Sequence, residues 1–140
     1  MLDDYQAARM LRVLSRVVDA RSRRRGMRPL QVDVLQYLAT APRAERTARN
    51  VACAHGLSTG QVSWVITELI ETGYVRLVCD EADPERLALT SAGHEMAELD
   101  PVLVMAATIG TLPEAQRQSF HESVEWVFRR YLERVEKPER

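Results

Sequence analysis

Residues 47–76 read TARNVACAHGLSTGQVSWVITELIETGYVR, and residues 87–93 continue as LALTSAG. Thr47 can cap a short helix carrying Val51, Ala52 and Cys53, and Gly56 is placed to end it. Ser58 opens a second helix, with Gln61 three residues later in the arrangement where side chain and backbone satisfy each other's amides. Val62, Ile66 and Leu69 recur at helical spacing and face inward, and Gly73 stops the helix. Tyr74 to Cys79 is β-branched and apolar enough for a strand. Asp80 to Arg86 is a polar turn around Pro84, and Leu87 to Leu89 returns as the second strand of a small hairpin.

Outward from this block, Ala7, Leu11, Leu14 and Val18 share helical spacing between Asp4 and about Arg25, where Gly26 stops the run. A helix starting near Pro29 carries a buried stripe of Leu30, Val34, Leu35 and Leu38, and ends before Pro42. Thr90 and Gly93 begin a further helical stretch that is almost wholly apolar from Val102 to Ile109, with Pro101 kinking or dividing it. A last helix runs from near Pro113 to about Val135, with Phe120, Val124, Val127, Phe128, Tyr131 and Val135 on one broad face. The expected fold is mainly α: a winged helix–turn–helix over about residues 28–90, with dimerisation helices at about 1–25 and 91–138, all in one domain of 140 residues.

A chain of 140 residues buries enough surface for one core. With 46% hydrophobic and 28% charged residues it reads as neither disordered nor fibrous. No apolar run reaches the roughly 20 residues that span a bilayer, and the first residues lack a basic and then apolar leader, so the expectation is a cytoplasmic protein without membrane contact. The net charge of −1 conceals an asymmetry: residues 1–50 carry 11 basic and 5 acidic side chains, residues 51–100 carry 2 and 9.

The pattern Thr47, Val51-Ala52, Gly56-Leu57-Ser58, Val62-Ser63, Ile66, Leu69, Gly73-Tyr74-Val75-Arg76, then Leu89-Thr90 and Gly93, resembles the MarR family of winged helix–turn–helix regulators over nearly the whole chain. The resemblance implies a homodimer that binds double-stranded DNA at a pseudo-palindromic operator and responds to a small anionic or aromatic effector. Independently, a Ser58-capped helix of about 15 residues fits the major groove. It turns Thr59, Gly60, Gln61, Ser63, Trp64, Thr67 and Glu68 outward. Gln61 has the geometry for adenine, Ser58, Thr59, Ser63 and Thr67 are polar groups for phosphates or bases, and Trp64 can pack on a thymine methyl or sugar edge. These residues also suit a merely solvated helix face.

The resemblance places the start of the second helix near the DNA backbone, which makes Arg21, Arg23, Arg24, Arg25 and Arg28 candidate phosphate contacts with Arg43, Arg46 and Arg49, and Arg86 the candidate in the wing. A solvated helix end stands as the other reading of that cluster. The resemblance also implies an effector pocket, for which Tyr5, Arg9, Arg12 and Arg16 on one helical face, together with Tyr37, are the candidates, with a solvated helix face as the other reading of the stripe. Two features depart from the family: the recognition helix has no lysine or arginine, and Asp80, Glu81, Asp83 and Glu85 surround the wing, which weakens phosphate attraction. They motivate the alternative of a winged-helix protein without operator binding, acting as a small-molecule-binding or protein-interaction module or as an enzyme using the dimer cavity.

Cys53 reads as a small core residue. Neither it nor Cys79 has metal-ligand spacing, and His55, His94 and His121 are too scattered for a zinc site. No phosphate loop or nucleophile elbow occurs, so the sequence predicts no catalysis, cofactor or metal.

Overall fold

A computed structural model describes residues 1–78 and 85–135, apart from the side chain of Arg24. Cys79, Asp80, Glu81 and Asp83 of the hairpin lie outside the described residues. The chain separates into two units, Met1–Leu103 and Val104–Arg140.

In the first unit, α1 (Asp4–Arg24) opens on Asp3, whose carboxylate accepts from the Gln6 N–H at 2.7 Å while the Gln6 carboxamide accepts from the Asp3 N–H at 3.1 Å. The chain leaves it through Gly26, at φ 76°, into α2 (Pro29–Thr40), with Pro29 in the first turn where its missing N–H costs nothing. A single 3₁₀ turn, Arg43–Glu45, follows. Next come α3 (Ala48–His55), capped by Thr47 and closed by Gly56 at φ 63°, and α4 (Thr59–Glu71), capped by Ser58. After Gly73 the strands β1 (Val75–Val78) and β2 (Arg86–Leu89) pair antiparallel, with Val75 opposite Leu89 and Val78 opposite Arg86. The Leu87 N–H donates to the Arg46 carbonyl at 2.8 Å, which anchors the hairpin to the segment entering α3.

Thr90 caps α5 (Ser91–Glu98) and ties it to the hairpin, its hydroxyl donating to the Gly73 carbonyl at 2.6 Å. Gly93 is required here, because a Cβ would stand 2.1 Å from the Tyr74 carbonyl oxygen. Pro101 does divide the apolar stretch: α5 ends at Glu98, and α6 (Pro101–Gly110) begins with Asp100 accepting from the Val102 N–H at 2.9 Å. In the second unit α7 spans Glu114–Val135.

One core joins α2, α3, α4, α5 and the hairpin. Val34, Leu35, Val51, Val62 and Leu69 are completely buried, and Leu38, Val75, Leu87, Val65 and Ile66 nearly so. Each such side chain removed from water contributes about 1.5–3 kcal/mol, so α4 is held by its inner face and its outer face is left over. Val32, Val65 and Met27 join this core although the sequence reading did not select them, and Leu30 is only half-buried.

Cys53 corrects the expectation of a core cysteine, because it is exposed. At 100° per residue it lies about 150° from the mean direction of the buried Val51 and Ala52, whereas His55 returns to their side. His55 is half-buried, with Nδ1 2.9 Å from the Val51 carbonyl oxygen.

The chain-end helices contrast with this core. Along α1, Met10, Leu11, Val13, Leu14 and Val17 are exposed, and α7 has no buried residue. Among the described residues no helix is long and apolar enough to cross a membrane.

Candidate nucleic-acid interface

The outer face of α4 is built from its cap. The Ser58 hydroxyl oxygen accepts from the Gln61 N–H at 3.2 Å and Gln61 Oε1 accepts from the Ser58 N–H at 3.1 Å, which fixes the first turn. The same bonds turn the Gln61 carboxamide back onto the cap, so a bidentate adenine contact would require the box to open. Thr59, Ser63, Trp64 and Thr67 all stand exposed along the helix, as the spacing predicts. Thr67 donates its hydroxyl to the Ser63 carbonyl at 2.9 Å, leaving its oxygen lone pairs toward solvent.

Glu68 is the residue that the sequence reading counted as outward and did not place. It is half-buried, pairs with Arg28 at the entry of α2, and accepts from the indole Nε1 of Trp64 at 3.1 Å. Gln31 Nε2 lies 3.5 Å from the same carboxylate, and Gln31 Oε1 accepts from the Arg28 N–H at 2.9 Å. The one carboxylate midway along the outer face of α4 is thus balanced locally by Arg28. The signal in the sequence was the Arg28-x-x-Gln31 spacing at a helix entry, but its partner stands 40 residues away.

The other arginines separate by what holds them. Arg25 donates to the Leu99 carbonyl and so closes the end of α5. Arg46 is half-buried and donates from Nε to the Ala41 carbonyl at 2.9 Å. Arg86 is half-buried on β2, opposite Val78. Arg21, Arg23, Arg43 and Arg49 are exposed. The side chain of Arg24 lies outside the described residues, so its part in the expected cluster is not placed.

Of the expected effector residues, Tyr5, Arg9, Arg12 and Arg16 line one shallow concavity along α1 with Val13. Tyr37 is held elsewhere: its hydroxyl donates to the Glu45 carbonyl at 3.1 Å and its ring meets His55 edge-on at 6.0 Å. Burial, then the Glu45 carboxylate, then Cys53, hold the Tyr37 phenol above its ordinary pKa, so it stays a neutral donor. Among the described residues no group of three or more His, Cys, Asp or Glu side chains is placed to hold a metal.

No protein-family model matches the sequence, and no curated protein matches it. Solved structures do. MepR of Staphylococcus aureus in complex with DNA aligns with a TM-score of 0.74 at 16% identity, covering 92% of this chain and 96% of that one. A MarR family protein of Mycobacterium tuberculosis, also in complex with DNA, aligns at 0.65 and 21% identity, over 91% and 98%. A further MarR family transcription regulator aligns at 0.69 and 20% identity, over 96% and 93%. The chain therefore has the winged-helix fold of the MarR family transcription regulators.

Proposed function

We propose that the protein is a MarR-family transcriptional regulator that binds double-stranded DNA as a homodimer, with α4 in the major groove. The observation that carries this reading is α4 itself. Its Ser58–Gln61 cap, its buried Val62, Val65, Ile66 and Leu69, and its exposed Thr59, Ser63, Trp64 and Thr67 make a rigid helix whose only unburied face is polar and aromatic. Two regulators of the same fold are known in complex with DNA, which supports the assignment. The exposed Arg21, Arg23, Arg43 and Arg49 supply phosphate contacts in addition to those expected of Arg24 and Arg86.

The homodimer would cover the exposed apolar side chains that α1, α6 and α7 each carry. The effector reading rests on the Tyr5, Arg9, Arg12 and Arg16 stripe, where guanidinium groups and one phenol suit an anionic aromatic molecule. Its binding would shift the dimer between spacings of the two α4 helices that do and do not match half-sites about 34–36 Å apart. An electrophoretic shift with the DNA flanking the protein's own gene, at low and physiological salt, tests the assignment. A discrete complex that survives excess unrelated duplex is the expected result, and no retarded species at low salt would overturn it.

A further inference from the structure

We propose that Glu68 is a positioning residue that fixes Trp64 as an apolar reader of thymine 5-methyl groups, an inference that rests on α4 entering the major groove. Trp64 is 68% exposed midway along α4, with no packing role in the core. Left to itself such a ring would sample several rotamers and offer its indole N–H to whatever acceptor it met. Here the N–H, the ring's one polar group, is taken up one turn later by Glu68. That carboxylate is held in turn from α2 by Arg28 and Gln31.

Three consequences follow from this arrangement. The ring is set in one orientation, so less conformational entropy is lost when DNA arrives. With its donor occupied by this surface hydrogen bond within the chain, the ring presents carbon to the groove. The Glu68 charge beside it is balanced by Arg28, so the approach to the phosphates is not opposed. The major groove displays one apolar group on the bases, the thymine methyl, and that is what a ring stripped of its donor can distinguish. The Arg28–Glu68 pair is too exposed to matter much for stability, with side chains 55% and 31% accessible, which leaves orientation as its effect.

The test starts from duplexes enriched from a random library on the full chain, resynthesised with deoxyuridine in place of thymidine one position at a time. At the contacted position, loss of the methyl weakens binding by the unaltered protein roughly fourfold, the equivalent of one buried methylene. Trp64→Ala abolishes that discrimination. Glu68→Ala lowers it with an unchanged circular dichroism spectrum and melting temperature, and Glu68→Gln, which keeps an acceptor for the indole, retains most of it. Equal affinity for the thymidine and deoxyuridine forms at every position overturns the proposal, as does full discrimination by Trp64→Ala. Full discrimination by Glu68→Ala overturns the positioning role. If no sequence is enriched at all, the assignment of α4 to the major groove fails, and this inference fails with it.

Discussion

At Gly93 an added methyl group would collide with a backbone oxygen, Tyr74 O, which cannot swing aside as a side chain can. Gly93→Ala is therefore expected to destabilise the protein by roughly 1–3 kcal/mol, the range for forced overpacking, read as a lower denaturant midpoint at constant slope. An unchanged midpoint would mean that α5 can move off the hairpin at no cost. Asp33 on α2 makes a second residue-level case. Its pKa is raised above 3.8 by burial, with His55 acting against this and Asp100 and Asp19 reinforcing it. A carboxyl group raised in the folded state adds stability fully below its unfolded pKa, and that stability is lost as pH rises through the folded value. Asp33→Asn should accordingly stabilise the protein at neutral pH and lose the advantage below about pH 3.8. Equal melting temperatures for the two proteins at pH 7 would remove the burial argument.

Among the elements, α4 depends most on its first turn. Replacing the cap, Ser58→Ala, should cost about 1 kcal/mol of stability, the usual effect of losing an N-cap hydroxyl, and Ser58→Asp should restore it. Denaturation curves of the three proteins check this, and a cost shared equally by Ala and Asp would contradict the capping role. The element ends were largely legible in the sequence because they are written in local chemistry: Gly26, Pro29, Gly56, Ser58 with Gln61, Gly73, Thr90 and Pro101 each stand where the structure starts or stops a helix. What was not legible depends on partners distant in the chain. The Arg28–Glu68–Trp64 connection joins residues 40 positions apart, and the Arg25 bond to Leu99 joins residues 74 apart. The 3₁₀ turn Arg43–Glu45 carries no distinctive local signal, and Cys53 was misjudged because its apolar neighbours in sequence face the opposite way on so short a helix.

For the whole molecule, the dominant feature is apolar surface outside the core. Leu11, Leu14 and Val17 on α1, Leu103 and Val104 on α6, and Val124, Val127 and Phe128 on α7 are each at least 42% exposed, while the first unit has a complete core without them. Apolar helix faces of this kind are normally covered by a partner, so light scattering at micromolar concentration should return twice the chain mass of 15.9 kDa. A single-chain mass would contradict the homodimer and with it the two-fold operator. Sequence-specific DNA binding is read by a single titration: the affinity for an enriched duplex and for its scrambled counterpart, each measured over about 50–200 mM salt. A regulator of this kind should show at least about a 10³-fold preference for the enriched duplex, with both affinities falling linearly in log–log form as salt rises. Equal affinity for the two duplexes, or no binding to either at the lowest salt, would contradict it.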